Sequence, residues 1–337
     1  MRSTMIIKSL SDVFVGRVTE GLEQLLPRRR VVAIADANID RLYPDLVHRF
    51  DHIIIGQGEA NKNLDTVQHI YRQLMEMGAD RSTMLLGIGG GITTDIAGFV
   101  AATYMRGLEY GIISTTLLGQ VDASVGGKNG VNVADYKNMV GTFLQPRFVI
   151  LDVEMLHTLP RRELRAGMAE VVKSAIIGDR ELFDYIETHA ANIYADSEAL
   201  QEAVLRSIRL KLDIVERDER ESGIRRVLNL GHTIGHAIEK CCRELNHGEG
   251  VAVGMSMMAH AAAKRGIMQS AEAERIDSLL TTLGFTLTPP VAIAEIMREV
   301  RHDKKKHDNI LRAVLPERIG KCRIEELTFD EFEQLFQ

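Results

Sequence analysis

The sequence has few cysteines, with three in 337 residues and no C-x-x-C pair. Cys241 and Cys242 are adjacent, which is a poor geometry for a disulfide, and Cys322 lies far along the chain. We therefore expect reduced thiols in the core and no disulfide framework.

Long hydrophobic runs are also missing. No segment approaches the roughly 20 apolar residues of a membrane span. The opening stretch, MRSTMIIKSLSDVFVG, has neither the uninterrupted apolar stretch nor the small-residue cleavage site of a signal peptide. These absences predict a cytoplasmic protein.

An excess of positive charge is absent as well. The chain carries 41 Lys and Arg against 47 Asp and Glu, a net charge of −6. This balance argues against nucleic acid or an anionic membrane as the main partner. Local clusters of basic residues therefore need local explanations.

What is present is a globular composition, with 45% apolar and 26% charged residues and no internal repeat. The length favours two domains. In the first part, short aliphatic runs alternate with helical segments, as in VVAIAD, HIIIG, TMLLGIGGG, GIISTTLL and RFVILD. This alternation predicts an α/β domain with a mostly parallel sheet over residues 1–157.

From LHTLPRRELRAGMAEVVKSAII onward, the apolar residues follow a 3.6-residue period. Pro160 suits the first turn of a helix, and Gly178 suits its end. The pattern predicts an all-helical C-terminal domain over residues 158–337, with one brief extended piece at ILRAVLP.

A glycine-rich turn follows one predicted strand, in MLLGIGGGITTD at residues 84–95. Glycines let a backbone approach a pyrophosphate, and a helix N-terminus offers unpaired amides. The G-x-G-x-x-G fingerprint fails because residue 92 is isoleucine. Asp36 and Asn38 follow another strand and could meet an adenosine ribose, although an ordinary turn is equally compatible.

The segment TTLLGQVDASVGGKNGVNVADYKNMVG, residues 115–141, is polar and glycine-rich and reads as a loop. Its Asp122, Lys128, Lys137 and Asn138 suggest contacts with a phosphorylated substrate or with cofactor phosphates. A solvated surface loop is the alternative interpretation.

A polar stripe is predicted around LNLGHTIGHAIE, residues 228–239. If one helix begins early enough, Arg225, Asn229, His232 and His236 share one face. Few helices bury such a stripe without a ligand.

Two further segments supply candidate metal ligands. Glu170 and Lys173 lie three residues apart on a predicted helix, among small and apolar residues, and His247 precedes another helix. Glu170, His232 and His247 could form one carboxylate and two imidazole ligands, a set that suits Zn²⁺ with an open position. His236 would then be free for proton transfer or phosphate contact.

These motifs together make the chain resemble the 3-dehydroquinate synthases, sugar phosphate cyclases of the shikimate pathway and aromatic amino acid biosynthesis. The resemblance extends from about IADAN to DKKK, and it rests on GGGITTDIAGF, YMRG, TTLLGQVDASVGGKNGVN, KNMVG, TLPRRELRAGMAEVVK, RRVLNLGHTIGHAIE and HGEGVAVGM.

The resemblance implies roles residue by residue. It implies a Rossmann-like N-terminal domain whose NAD-contacting positions are Asp36, Asn38, Glu59, Lys62, Gly90, Gly91, Asp95, Thr115, Thr116 and Lys137. It makes the metal ligands Glu170, His232 and His247. It implies substrate contacts at Asp122, Lys128, Asn138, Lys173, Lys211, Arg225, Asn229 and His236, and at a late lysine that is Lys304 or Lys305 in the run ending at Lys306.

Proton transfer is implied for Glu221 and His236, with Lys173 and Arg225 as charged catalytic groups. Arg106 is expected to reach the neighbouring subunit's site, so the resemblance implies at least a dimer. The implied reaction converts 3-deoxy-D-arabino-heptulosonate 7-phosphate into 3-dehydroquinate and phosphate, with NAD and Zn²⁺ as cofactors. Co²⁺ and Fe²⁺ accept the same ligand set.

The chain departs from the family pattern at two positions. Thr94 stands where the family usually has glycine, and Asn129 where it usually has threonine. Both lie beside expected phosphate contacts, so they bear on substrate identity.

Three other functions are compatible with parts of the sequence. A related cyclase acting on sedoheptulose 7-phosphate would have no substrate carboxylate for Lys211 and Arg225, which disfavours it. A metal-dependent polyol dehydrogenase would not need the phosphate-binding lysines. A non-catalytic binding protein would not need the three metal ligands.

Overall fold

The computed structural model describes residues 4–134, 136–304 and 310–337. The chain divides into two compact units, Met1–Pro160 and Arg161–Gln337. Each unit is built from one of the two patterns seen in the sequence.

The first unit is built around a seven-stranded sheet. Its strands, with the two of a separate hairpin, are β1 Met5–Lys8, β2 Asp12–Val15, β3 Val31–Asp36, β4 Asp51–Ile55, β5 Met84–Gly89, β6 Tyr110–Ser114, β7 Lys128–Val133, β8 Tyr136–Phe143 and β9 Phe148–Leu151. The sheet order is β1-β2-β9-β6-β5-β3-β4, and every pairing except β1–β2 is parallel. The predicted α/β fold with a mostly parallel sheet is confirmed.

Helices connect these strands. They are α1 Val18–Leu25, α2 Ala37–Leu42, α3 Pro44–Val47, α4 Leu64–Glu76 and α5 Gly91–Thr103, with short helical segments at Glu59–Asn61, Tyr104–Arg106, Gly119–Ala123 and Val153–Thr158. Strands β5, β6 and β9 are buried along their whole length. Continuous burial explains why these strands read as unbroken aliphatic runs rather than as alternating ones.

The polar segment at residues 115–141 differs from the expected loop. It contains the antiparallel hairpin of β7 and β8, which lies outside the seven-stranded sheet. Gly130 and Gly141 face each other in the register. A Cβ at Gly141 would lie 2.5 Å from the Asn129 carbonyl oxygen, so these glycines permit close strand packing.

The second unit is helical apart from one hairpin. Its elements are α6 Arg161–Gly178, α7 Arg180–His189, α8 Ser197–Arg217, α9 His232–Cys241, α10 His247–Lys264, α11 Ser270–Thr282, α12 Ile293–Lys304, β10 Ile310–Arg318, β11 Lys321–Thr328 and α13 Phe329–Gln334, with a 3₁₀ segment at Ile224–Asn229. The expected extended piece at ILRAVLP is therefore the first strand of a hairpin. The description "all-helical" is corrected accordingly.

Helix α10 is the centre of the second unit. It packs against α6, α9 and α11, and its small and apolar residues are buried around most of its circumference. A helix that is apolar on all sides is stable only inside such a bundle.

The three cysteines are free, and each is half-buried rather than fully in the core as expected. In the part of the chain that the structure describes, none of the helices is both long enough and apolar enough to cross a membrane.

Candidate active site

The predicted helical stripe is interrupted. Ile224–Asn229 forms a 3₁₀ segment, Gly231 has a φ of 76°, and α9 begins only at His232. A side chain at Gly231 would meet the Val251 carbonyl oxygen at 2.8 Å. The prediction of one helix from Arg225 to His236 is therefore wrong, because a left-handed glycine separates two elements.

Glu170, His232 and His247 converge as the sequence suggested. They come from α6, α9 and α10, and their ligand atoms lie within 4.8 Å of one another. Glu170 Oε1 lies 3.6 Å from His232 Nε2 and 3.4 Å from His247 Nε2. This oxygen is buried and accepts no hydrogen bond from any residue that the structure describes.

Both imidazole rings are oriented by their other nitrogen. His232 Nδ1 lies 3.1 Å from the Leu230 carbonyl oxygen, and His247 Nδ1 lies 2.9 Å from Glu239 Oε1. Because these oxygens can only accept, each Nδ1 donates, and each Nε2 is directed at Glu170. This arrangement is typical of histidines that bind a metal.

Charge compensates the buried carboxylate. Lys173 forms an ion pair with Glu170 Oε2, and both side chains are almost completely buried. Burial alone would raise the pKa of Glu170, but Lys173, His232 and His247 hold it well below its usual range. Burial alone would lower the pKa of His247, but the neighbouring carboxylates of Glu170 and Glu239 outweigh it and raise that pKa to about 10. A divalent cation would supply the same compensation, so the donor set fits a metal ion.

Glycines bring α9 and α10 unusually close. A Cβ at Gly235 would lie 3.0 Å from the Gly250 carbonyl carbon, and one at Gly254 would lie 2.1 Å from the Gly231 carbonyl oxygen. The close crossing allows side chains of α9 to reach His247 at the start of α10.

A cavity of about 400 Å³ opens beside the triad. Its lining includes His232 and three other predicted site residues, Glu221, Asn229 and His236. It also includes the cations Arg226, Lys240 and Arg312, which the sequence analysis missed. A run of two arginines before LNLGH was the available signal for Arg226.

The loop between α8 and α9 is held by Asp218. Its carboxylate accepts hydrogen bonds from the backbone N–H groups of Ser222, Gly223 and Arg225 at 2.9, 2.6 and 3.1 Å. These bonds outweigh desolvation and lower the pKa of Asp218 to about 2. Sequence reasoning missed this residue, although aspartate, serine and glycine are all typical turn residues and the segment DERESG contains each of them.

Two predicted site residues lie on that loop, the proton-transfer candidate Glu221 and the substrate-binding candidate Arg225. Glu221, with a φ of 59°, accepts a hydrogen bond of 2.6 Å from Asn229 Nδ2. Arg225 is 4% exposed and donates to the Glu219 carbonyl oxygen. The loop conformation therefore fixes both groups.

Lys211 is buried on α8 and lies one turn after Ser207. Ser207 donates a hydrogen bond of 3.0 Å to Ser174, which is adjacent to Lys173 on α6. Residues four apart share a helix face, so Lys211 lies on the face of α8 that contacts α6. His236 is exposed on α9, and its ring centroid lies 5.3 Å from that of His232.

In the first unit, the glycine-rich turn joins β5 to α5 as predicted. Gly90 caps α5 and Gly91 is its first residue. A Cβ at Gly90 would meet Thr116 Cγ2 at 2.8 Å. Thr115 is buried, and its hydroxyl makes no hydrogen bond within the described ranges.

Asp36 has a structural role at the end of β3. Its carboxylate caps α2 through the N–H groups of Asn38 and Ile39, and it accepts a hydrogen bond of 3.1 Å from Thr93. The Asn38 side chain accepts a hydrogen bond from Arg41. The turn is therefore well ordered by its own contacts.

A polar network joins predicted cofactor and substrate residues of the first unit. Lys62 is buried, and its ammonium group lies 2.5 Å from Asp95 Oδ2 and 2.6 Å from Asn138 Oδ1. Burial raises the pKa of Asp95 to about 6, although Lys62 opposes the shift. Asn132, which the sequence analysis missed, donates to Glu59 at 2.7 Å and accepts from the Asn138 N–H at 2.8 Å.

The remaining predicted residues lie at the surface or beyond the described ranges. Arg106, Lys128 and Lys137 are exposed, and Asp122 is half-buried. Lys304 is the last residue of α12, whereas Lys305 and Lys306 lie outside the residues that the structure describes.

The two departures from the family pattern are structural. Thr94 donates to the Gly91 carbonyl oxygen at 3.1 Å inside α5. The buried Asn129 side chain accepts from the Tyr110 hydroxyl at 3.2 Å and donates to the Gly127 and Leu144 carbonyl oxygens, each at 3.0 Å. Both side chains are thus used in the packing of the first unit.

Comparison with known proteins identifies the family of the chain. The family model described as 3-dehydroquinate synthase N-terminal matches residues 52–166, and the model described as 3-dehydroquinate synthase C-terminal matches residues 167–306. A 3-dehydroquinate synthase of Syntrophotalea carbinolica is 39% identical over 324 residues, covering 93% of this chain and 90% of that protein.

Two solved structures are similar over almost the whole chain. The 2-epi-5-epi-valiolone synthase of Streptomyces hygroscopicus, with NAD⁺ and Zn²⁺ bound, is 28% identical with a TM-score of 0.88, covering 99% of this chain and 98% of that one. A 2-deoxy-scyllo-inosose synthase with carbaglucose-6-phosphate, NAD⁺ and Co²⁺ is 25% identical with a TM-score of 0.89, covering 99% of each chain.

The fold and the Glu–His–His triad thus define a sugar phosphate cyclase, a class whose solved members here carry NAD⁺ and a divalent metal. Within that class, the chain belongs to the 3-dehydroquinate synthase family.

Proposed function

We propose that this protein is a 3-dehydroquinate synthase of the shikimate pathway, which converts 3-deoxy-D-arabino-heptulosonate 7-phosphate into 3-dehydroquinate and phosphate. It would act as a carbon–oxygen lyase that eliminates phosphate. The observation that carries the proposal is the convergence of buried Glu170 with half-buried His232 and His247 beside a cavity with several cations, in a chain of this family.

The cofactors would be NAD and one divalent metal. NAD would accept and return a hydride while the metal polarises a substrate oxygen. For NAD we propose the first-unit residues around the glycine-rich turn and the Lys62 network: Asp36, Asn38, Glu59, Lys62, Gly90, Gly91, Asp95, Thr115, Thr116 and Lys137. The close packing of Gly90 and the buried hydroxyl of Thr115 support this placement.

The metal ligands would be Glu170 Oε1, His232 Nε2 and His247 Nε2. Support comes from their convergence and from the hydrogen bonds that direct both Nε2 atoms toward Glu170. The donor set accepts Zn²⁺ and also Co²⁺ or Fe²⁺.

Positive charge would bind the anionic groups of the substrate. Buried Lys211 and Arg225, with Lys173, would face its carboxylate and oxygens, and Lys128, Asn138 and His236 its phosphate. Asp122 and Asn229 would hold substrate hydroxyls, and a lysine at 304 or 305 would complete the set. Glu221 and His236, which share the cavity with His232, would move protons.

The active form would be a homodimer in the cytoplasm. Arg106 is exposed at a φ of 71°, on the turn that follows α5. We propose that it extends into the site of the partner subunit.

A related cyclase acting on another heptulose phosphate is the second candidate. The similarity to a 2-epi-5-epi-valiolone synthase over 99% of the chain favours it. Against it, Lys211 and Arg225 are both buried cations, which suit a substrate that carries a carboxylate.

One experiment tests the proposal against both the cyclase alternative and a dehydrogenase. Enzyme with trace NAD⁺ and excess 3-deoxy-D-arabino-heptulosonate 7-phosphate should release far more phosphate than the NAD⁺ supplied, with no lasting NADH absorbance. Sedoheptulose 7-phosphate in its place should give little phosphate. Stoichiometric NADH without phosphate release would refute a cyclase.

Metal removal provides a second test. A chelator should abolish turnover while NAD still binds, because the triad belongs to the second unit and the proposed NAD residues to the first. Activity should return with Zn²⁺. Full activity of the metal-free enzyme would refute the metal assignment.

A further inference from the structure

The ring of His247 contacts two carboxylates, that of Glu170 and that of Glu239. The two atoms in contact, His247 Nδ1 and Glu239 Oε1, lie 2.9 Å apart. The Glu239 side chain is only 11% exposed. A carboxylate this deeply buried is normally retained for a specific contact.

We infer that Glu239 is a positioning residue, which fixes the ring of His247 so that Nε2 can bind the metal. This inference rests on the proposed metal site and assigns to it a residue that does not itself bind the ion.

Helix phasing supports the inference. Glu239 follows His232 by seven residues, which is close to two full turns, so both side chains project from one face of α9. A single rigid helix therefore supplies one ligand directly and the anchor of another ligand.

The backbone of His247 is also fixed. It is the first residue of α10, and Asn246 caps that helix in a reciprocal arrangement with Glu249. Since the backbone is held, only the two side-chain torsions of His247 remain to be set. The hydrogen bond to Glu239 sets both.

The close crossing of α9 and α10 makes this bond possible. A Cβ at Gly250 would lie 2.9 Å from the Gly235 carbonyl oxygen, so the helices approach until their backbones nearly touch. At this separation, a glutamate of α9 reaches a ring on the first turn of α10.

The chemistry of the pair favours metal binding. A carboxylate that accepts the Nδ1 proton selects the tautomer with a free Nε2 lone pair and makes that nitrogen more basic. Loss of such a partner typically weakens metal affinity by about 10- to 100-fold.

One alternative uses the same residues differently. His236, Glu239 and His247 also place ligand atoms within 4.8 Å of one another. If Glu239 were itself a metal ligand in that cluster, the protein would bind two ions and would lose one of them when Glu239 is replaced.

The test is a Zn²⁺ titration against a competing chelator at fixed pH, on the full chain. We compare the wild type with Glu239→Gln, which retains an acceptor of the same shape, and with Glu239→Ala, which has none. The expected order of affinity is wild type, then Gln, then Ala, with one ion bound in each and a loss of about 10- to 100-fold in the Ala variant. The visible spectrum of the Co²⁺-loaded Gln variant should also shift.

Two controls separate the possible causes. Glu272→Gln removes a carboxylate of similar exposure, 15%, that lies on α11 and pairs with Arg180 at 2.9 Å, and it should leave Zn²⁺ affinity unchanged. NAD binding should be unchanged in every variant.

The outcomes distinguish this inference from the proposed function. If the wild type binds no Zn²⁺, or if His247→Ala binds as tightly as the wild type, the proposed metal site fails. If His247→Ala loses the ion but both Glu239 variants bind like the wild type, only the positioning role is overturned. If the wild type binds two ions and the Glu239 variants bind one, the positioning role is also overturned.

Discussion

Arg225 is the residue on which the proposed identity of the substrate depends most directly. It is buried at 4% exposure in the loop that Asp218 holds. We expect Arg225→Ala to lower kcat/KM for the heptulosonate phosphate about a hundredfold, or roughly 3 kcal/mol, because a charge-assisted contact with the carboxylate is lost. Steady-state kinetics on the purified variant would measure this.

A matched control separates this effect from a general loss of positive charge. Arg217→Ala removes an exposed guanidinium that pairs with Asp213 at 3.4 Å at the end of α8, and it should leave kcat/KM unchanged. If Arg225→Ala also leaves kcat/KM unchanged, the proposed contact between Arg225 and the substrate carboxylate is wrong. A cyclase whose substrate has no carboxylate then becomes the better candidate.

The types of the side chains predicted a metal site where potential ligands stand in an otherwise apolar helix sequence. Glutamate, two histidines and a neighbouring lysine on apolar helices indicated a metal site, and the structure brings them together. Glu239 and Asp218 could not be recognised in the same way. Each carboxylate acts through one tertiary or loop contact, and nothing in the sequence distinguishes it from a surface glutamate or aspartate.

The helix pair α9 and α10 is the element on which the geometry of the triad depends. We expect Gly254→Ala to reduce the free energy of unfolding by about 1–3 kcal/mol, because the added methyl overpacks the crossing. Its Cβ would lie 2.1 Å from the Gly231 carbonyl oxygen, so α9 must shift. Zn²⁺ affinity should fall as His232 moves relative to His247.

Urea unfolding of the metal-free protein and chelator competition measure the two effects separately. Lys264→Ala, at the exposed end of the same helix, is the control and should change neither. Unchanged stability and unchanged Zn²⁺ affinity in Gly254→Ala would show that the crossing tolerates a side chain.

Sequence patterns predicted the buried elements well and the polar hairpin poorly. The buried strands and α6 follow their sequence patterns closely, whereas the β7–β8 hairpin was read as a loop because it is polar and rich in glycine. The break at Gly231 was missed for a related reason. Gly231 has a left-handed φ, and a side chain there would collide with Val251, which lies twenty residues away in the sequence.

For the whole molecule, local patterns indicated the parallel sheet but not its strand order. The order β1-β2-β9-β6-β5-β3-β4 places the last strand of the first unit between β2 and β6. Only long-range packing decides such an insertion. The net charge of −6 likewise hides the internal cations Lys173, Lys211 and Arg225, which are buried within an acidic chain.

The assembly of the molecule can be tested by mixing two inactive variants. Arg106→Ala would lack the arginine that we propose is donated to the partner, and His247→Ala would lack its own metal site. In a mixed dimer, the Arg106→Ala chain keeps its triad and receives Arg106 from the His247→Ala chain, so one site is complete. After subunits exchange at random, half of the dimers are mixed and each has one working site, so activity should return to about a quarter of the wild-type value.

The same mixture excludes the simpler arrangement. If Arg106 acted within its own chain, every site in a mixed dimer would lack either the arginine or the metal, and mixing would restore nothing. Each variant alone, carried through the same exchange procedure, provides the baseline. Zn²⁺ binding by Arg106→Ala should equal that of the wild type, since Arg106 belongs to the first unit and the triad to the second. Recovery of activity therefore requires both a dimer and an arginine that crosses between its subunits, and a monomer by light scattering would contradict both.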